Sequence, residues 1–101
     1  MTILSSLIEK EEERNRKMID AYQEELDRLP RGSITVKTIS GKRYYYLSYR
    51  SDGKVVSKYL GKEEAALGAI KDKLDRRAQI ESILKSLREE QAKIKKMEAL
   101  L

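Results

Sequence analysis

The sequence predicts an α+β protein in which a long helix, a three-stranded antiparallel β-meander and a second long helix follow one another. Apolar residues are spaced as in a helix at both ends of the chain, and they alternate with polar residues in the middle. Two glycine turns divide that middle segment. The 101 residues suit a single domain, and their 39% charged residues, against roughly 25% in average globular proteins, favour exposed helices.

Residues 1–29 are predicted to form the first helix. Its apolar positions have spacings built from three and four, at Leu4, Ile8, Met18, Tyr22, Leu26 and Leu29. The run 9–17 has no apolar residue. It is either a solvated helix held by pairs such as Glu13 with Lys17, or a frayed joint. Pro30 ends the helix, because proline disfavours helical geometry at the preceding residue and lacks a backbone donor.

Residues 33–60 are predicted to form the meander, from the runs SITVKTI, KRYYYLSYR and KVVSKYL. A two-residue turn at Ser40-Gly41 places the apolar residues on one side of the sheet: Ile34, Val36, Tyr45, Leu47 and Tyr49. The other side then carries Thr35, Lys37, Tyr44, Tyr46, Ser48 and Arg50. The second turn stays open. A two-residue loop puts Val56 and Leu60 on the apolar side with Lys58 between them, whereas a three-residue loop puts Val55, Ser57 and Tyr59 there.

Residues 62–101 are predicted to form the second helix, with Glu63 and Glu64 placed to offset its dipole. One apolar stripe comprises Leu67, Ile70, Leu74 and Ala78, and we expect it to cover the apolar side of the meander. A second, rotated stripe comprises Ile80, Ile83, Leu84, Leu87, Ile94, Met97 and Leu101. It fits a heptad seam with Glu90 as the misfit, which predicts packing on the first helix or on a second chain, in a coiled coil.

The positive charge is concentrated in the meander. Residues 31–62 contain eight basic residues and one acidic residue, a net charge of +7, whereas residues 1–30 carry −3 and residues 63–101 carry +1. Five of the six tyrosines also lie there. Lysine and arginine contact phosphates, and flat rings stack on bases. The predicted nucleic-acid-binding residues are Lys37, Lys42, Arg43, Tyr44, Tyr46, Arg50, Lys54 and Lys58.

The same residues also have a purely structural interpretation. Tyrosine is a strong strand former, and lysine on edge strands blocks unwanted pairing between sheets. A meander that binds nothing could therefore carry both residue types.

Several classes of protein are disfavoured by what the chain lacks. It has no cysteine and no histidine, which removes disulfides, thiolate metal sites and the commonest general base and metal ligand. No phosphate-binding loop or nucleophile motif is present, so we expect no enzyme, no catalytic residue, no metal and no cofactor. The start of the chain lacks the pattern of a signal peptide, and no stretch is apolar enough to span a bilayer, so we expect a cytoplasmic protein.

The segment LPRGSITVKTISGKRYYYLSYRSDGKVVSKYLGK, residues 29–62, resembles a family of short, poorly characterised prokaryotic and phage proteins with this core between two helices. It is also similar to the β-meander that opens some bacterial transposases. That resemblance implies DNA handling and a mobile-element origin, without the catalytic domain of a transposase. The matching positions are Gly41, Lys42, Tyr44 to Leu47, Tyr49, Arg50, Gly53, Lys54, Tyr59, Leu60, Gly61 and Lys62.

Two functions follow from these observations. The first is a non-enzymatic module that binds nucleic acid, DNA rather than RNA, through the basic meander, with the helices forming a homodimer. The second is a protein-interaction module, such as a phage or mobile-element inhibitor, that docks its basic face on an acidic protein.

Overall fold

The structure is a computed structural model that describes residues 2–61 and 64–101. Its elements confirm the predicted α+β order of helix, meander and helix, and the three strands form one antiparallel sheet in chain order. Their bounds are α1 Ile3–Arg28, β1 Ser33–Ile39, β2 Lys42–Ser51, β3 Lys54–Gly61 and α2 Glu64–Leu100.

Met1, Lys62 and Glu63 lie outside the described residues. The first residues of both predicted helices and the predicted interaction of Glu63 with the helix dipole therefore stay predictions. Glu64 does lie in the first turn of α2, where a carboxylate is favourable. Of the helices described, none is long and apolar enough to cross a membrane.

The chain divides into two compact units. The helix-pair unit contains α1 and Gln79–Leu101, and the meander unit is Leu29–Ala78. Helix α2 therefore contributes a segment to each unit. The interpretation of residues 1–101 as one domain stays a prediction.

Helix α1 continues without a break through the polar run 9–17, which excludes the frayed joint. Thr2 caps its start, since the Thr2 Oγ1 accepts a hydrogen bond of 3.1 Å from the Ser5 amide. Within the run, Lys17 Nζ lies 3.0 Å from Glu13 Oε1, as expected for a pair four residues apart.

Asn15 is the buried residue of α1, with 1% of its surface exposed. Its Nδ2 donates a 2.9 Å hydrogen bond to the Leu87 carbonyl of α2, while its Oδ1 is buried without a partner. The run without apolar residues is thus held against α2 by a polar contact. A buried amide of this kind fixes the alignment of two helices at a cost in stability.

The buried residues of α2 follow the predicted second stripe: Ile80, Leu84, Leu87 and Ile94. Glu90, the misfit in the heptad pattern, is half-buried, and its Oε1 lies 3.8 Å from Arg14 Nη2 of α1. The predicted packing of this half of α2 on the first helix is confirmed by these contacts. A coiled-coil geometry stays a prediction.

Two carboxyl groups meet between the helices of this unit. Glu98 of α2 is half-buried, its Oε1 is excluded from solvent without a hydrogen-bond partner, and it lines one cavity together with Glu12 of α1. The hydrogen bond that a protonated Glu98 can make to Glu12, burial, and the negative charges of Glu12 and Glu9 raise the pKa of Glu98, against a smaller opposite effect of Lys95. A protonated carboxyl can donate the hydrogen bond that two carboxylates cannot form.

We therefore expect the helix-pair unit to gain stability as the pH falls from neutrality toward 4.5, the ordinary pKa of glutamate. The folded state holds the proton more tightly than the unfolded chain, so this stability is lost as the pH rises through the raised pKa. Glu98→Gln should be more stable than wild type at neutral pH, and the gain should shrink on acidification. Urea unfolding across the pH range measures it, with exposed Glu89→Gln as the control. If stability depended on pH in the same way in Glu98→Gln and Glu89→Gln, the raised pKa of Glu98 in the folded state would be contradicted.

The first hairpin has the predicted register. Ser40 and Gly41 have φ values of 53° and 78°, and positive φ at both central residues is the type I′ turn that suits a two-residue hairpin. Ile39 therefore pairs with Lys42, and Ile34 pairs with Leu47.

The second hairpin adopts the two-residue alternative. Asp52 and Gly53 also have positive φ, of 52° and 77°, and Ser51 pairs with Lys54. Val56 then opposes Tyr49, and Lys58 opposes Leu47, as that alternative requires. The three-residue loop is excluded. An irregularity follows between Tyr46, which pairs with Tyr59, and Tyr45, which pairs with Gly61. Leu60 lies at that bulge.

The segment between α1 and β1 is held close against β2. Leu47 of β2 is buried, and Gly32, with a φ of 118°, lies against the backbone of Ser48. The Arg77 Nη1 of α2 donates a 3.2 Å hydrogen bond to the Leu29 carbonyl. Leu67, Ile70 and Leu74 of the first stripe are half-buried. That this stripe covers the apolar side of the meander stays a prediction.

Two glycine substitutions should have opposite effects on stability. A Cβ at Gly32 would overlap the Ser48 carbonyl oxygen at a φ that side chains rarely adopt, so Gly32→Ala should destabilise by roughly 1–3 kcal/mol. Gly68 lies within α2 with open space around it, so Gly68→Ala should stabilise by roughly 0.5–1 kcal/mol. Urea unfolding followed by circular dichroism measures both. A Gly32→Ala protein as stable as Gly68→Ala would contradict the close approach.

Candidate nucleic-acid interface

The register of the meander sorts its side chains onto two faces, because paired residues of antiparallel strands project to the same side. The tyrosine face consists of Ser33, Thr35, Lys37, Ile39, Lys42, Tyr44, Tyr46, Ser48, Arg50, Val55, Ser57 and Tyr59. The leucine face consists of Ile34, Val36, Thr38, Arg43, Tyr45, Leu47, Tyr49, Ser51, Lys54, Val56 and Lys58. On the tyrosine face, Val55 is 66% exposed and Tyr59 is 49% exposed, so this face is open to solvent.

Three tyrosine rings form a cluster on the tyrosine face. The Tyr59 ring lies 5.5 Å from the Tyr46 ring and 6.3 Å from the Tyr44 ring, measured between centroids, with tilts of 54° and 47°. These distances are typical of favourable aromatic pairs. Lys37 Nζ lies 4.7 Å from the Tyr46 centroid, which adds a cation–π contact. The rings come from β2 and β3 and the ammonium group from β1, so all three strands contribute to the cluster.

A row of hydroxyl groups crosses the sheet beside the rings. Thr35 Oγ1 lies 3.0 Å from Ser48 Oγ, which lies 3.3 Å from Ser57 Oγ. Thr35 Oγ1 also donates to the Tyr46 carbonyl at 3.5 Å. These short side chains hydrogen-bond one another. The middle of the face therefore has no long side chain between the rings at one end and Arg50 at the other.

The face carries positive charge that the three strands themselves do not neutralise. Lys37, Lys42 and Arg50 are exposed on it, and the sequences of the three strands contain no aspartate or glutamate. Asp52 in the second turn is the acidic residue of the meander. Across residues 2–61 and 64–101, no three residues of the metal-ligating types lie together as a metal site requires. The arrangement suits contacts with an anion through cations and flat rings.

Residues 8–69 match a family described as Domain of unknown function (DUF6788). The chain belongs to this family. The matched region covers most of α1, the whole meander and the start of α2, so both faces of the sheet lie within it. Neither a curated protein nor a solved structure matches the chain.

The structure brings five of the eight predicted site residues of this DUF6788 protein onto the tyrosine face: Lys37, Lys42, Tyr44, Tyr46 and Arg50. It places Arg43, Lys54 and Lys58 on the leucine face. Lys58 opposes buried Leu47 there and lines a cavity of about 200 Å³ with Pro30, Arg31 and Tyr49. The two-residue second turn sends Lys54 and Lys58 of β3 to the leucine face, and the first hairpin places Arg43 there opposite Thr38.

Sequence analysis of the DUF6788 chain missed Tyr59, which joins the other two rings. The residue was left out because the second turn had two possible lengths, and only the shorter one puts it on this face. The signal that could have found it is Asp52-Gly53, since Asp-Gly is a preferred pair for a two-residue type I′ turn.

Proposed function

We propose that this DUF6788 protein is a cytoplasmic, non-enzymatic module that binds DNA through the tyrosine face of its meander. The observation that carries the proposal is the union of three clustered rings with Lys37, Lys42 and Arg50 on one exposed face. Cations would contact the phosphates and fix the position of the strand, while the rings would contact the bases. DNA is proposed as the nucleic acid because the sequence of the meander resembles that of some transposases, a resemblance that stays an expectation.

The test compares two double variants with the same change of charge. Lys37→Glu with Arg50→Glu reverses two charges on the tyrosine face, and Arg43→Glu with Lys58→Glu reverses two on the leucine face. If the tyrosine face binds DNA, the first variant should lose about tenfold or more in affinity and the second should lose much less. Fluorescence anisotropy of labelled DNA at several salt concentrations measures this, with circular dichroism confirming that both variants fold.

Equal losses in the two double variants would show that the whole basic meander attracts DNA without a defined face. No binding by wild type at low salt would contradict the proposal. A nuclease-insensitive complex with an acidic protein would then support the docking function instead.

We also propose that the module is a homodimer formed at the apolar end of the helix-pair unit. That end consists of exposed residues from both helices: Ile3, Leu4, Leu7, Met97, Leu100 and Leu101. A cavity of about 280 Å³ lies among Leu4, Ile8, Met97, Leu100 and Leu101. The end continues the buried stripe of α2 beyond Ile94, and contiguous exposed apolar surface of this kind marks an interface. A second copy supplies the same surface in a two-fold pair.

Sedimentation velocity should show a dimer that Leu4→Lys with Met97→Lys converts to monomer, because two charges would be buried in the interface. Ala92→Lys, at an exposed position of α2 away from the apolar end, should leave the dimer intact. A wild-type protein that is monomeric at every concentration would contradict this proposal and would leave the DNA-binding proposal untouched.

A further inference from the structure

The tyrosine face has one ring that is well placed to receive another flat group. Tyr59 is half exposed, and its contacts with Tyr46 and Tyr44 already fix its position. Lys37 Nζ lies over the Tyr46 ring. The exposed surface of Tyr59 is therefore the place in this cluster where a base could stack on a ring that loses little freedom on binding.

A base in a duplex cannot use such a ring, because its neighbours in the helix already cover both of its faces. Stacking on aromatic side chains is the mode by which proteins bind unpaired bases, and sheets that present aromatic residues stack two or three of them. The geometry of the rings thus favours a single strand.

The middle of the face is poorly suited to reading the edges of paired bases. Its side chains there are Thr35, Ser48 and Ser57, which are short and hydrogen-bonded to one another. The bidentate contacts that discriminate best between base edges in a major groove come from arginine, lysine, asparagine and glutamine. The two lysines of this face, Lys37 and Lys42, lie at the end that carries the rings and not in the middle. The tyrosine face has no asparagine or glutamine, and its one arginine, Arg50, lies at the end remote from the rings.

Two of the three cations of this face, Lys42 and Arg50, lie along β2, and the third, Lys37, lies on β1 over the Tyr46 ring. Lys42 precedes Tyr44 by two residues on this face, and Arg50 follows Tyr46 by four. At ~3.3 Å per residue, Lys42 and Arg50 are about 26 Å apart, with the rings between them. An extended strand running along β2 could meet a cation on each side of a stacked base.

We infer that the tyrosine face binds single-stranded nucleic acid, with an unpaired base stacked on Tyr59. This inference rests on the proposed function and narrows its ligand to a strand without base pairs. Cations hold the phosphates, and the ring supplies the contact that distinguishes an unpaired base from a paired one.

The test uses four labelled probes with equal numbers of phosphates: oligo-dT, an abasic strand, a DNA duplex and oligo-U. Oligo-dT should bind about five- to 150-fold more tightly than the duplex or the abasic strand, the range that stacking of one base on an aromatic ring accounts for. Tyr59→Leu should lose that advantage, whereas Tyr59→Phe, which keeps the ring, should retain it. Tyr45→Leu, on the leucine face, is the matched control.

Each other outcome is decisive. Duplex binding equal to or tighter than oligo-dT would overturn the inference and leave the proposed function standing. If the abasic strand bound as tightly as oligo-dT, stacking of a base on Tyr59 would be overturned. No binding of any probe at low salt would overturn both. Tighter binding of oligo-U than of oligo-dT would support a single strand and replace DNA by RNA as the ligand.

Discussion

The placement of every side chain on the meander depends on two type I′ turns. Each is two residues long with positive φ at both central positions, so each fixes its hairpin register without ambiguity. A single extra residue in the second turn would move Tyr59 to the leucine face and Lys58 to the tyrosine face. The aromatic cluster and the open basic surface therefore depend on the backbone conformation of Asp52 and Gly53.

The helix-pair unit is aligned by a different kind of constraint. Asn15 lies in the polar run of α1 and donates to a carbonyl of α2 from a fully buried position. Its unpaired Oδ1 costs stability that an apolar residue would not cost. Arg14 beside it reaches Glu90 of α2. These polar contacts restrict the alignment of two helices whose apolar stripes alone would permit sliding by a turn.

Periodicity was enough to predict the element order, the first hairpin and the seam of α2, because each depends on local spacing. The role of Asn15 could not be predicted, since a polar residue within EKEEERNRK gives no sign of burial until its partner helix is known. Tyr59 was missed for a different reason, because its face depends on the length of the second turn, at Asp52-Gly53. The first failure concerns a contact between segments, which spacing within one segment does not determine, whereas the second concerns a local turn that the Asp-Gly pair indicates.

The purely structural interpretation of the basic residues now accounts for part of them. Lysines on edge strands block pairing between sheets, which accounts for Lys54 and Lys58 on β3 without a ligand. Lys37 on β1 is also on an edge strand, but it belongs to the ring cluster as well. Arg50 and Lys42 lie near opposite ends of the central strand β2, and each is paired on one side, Arg50 with Val55 of β3 and Lys42 with Ile39 of β1. They are exposed on the same face as the rings. Edge protection therefore does not separate these two cations from the lysines of the outer strands. What favours an anionic ligand is that they flank three clustered rings on a face whose strands contain no acidic residue.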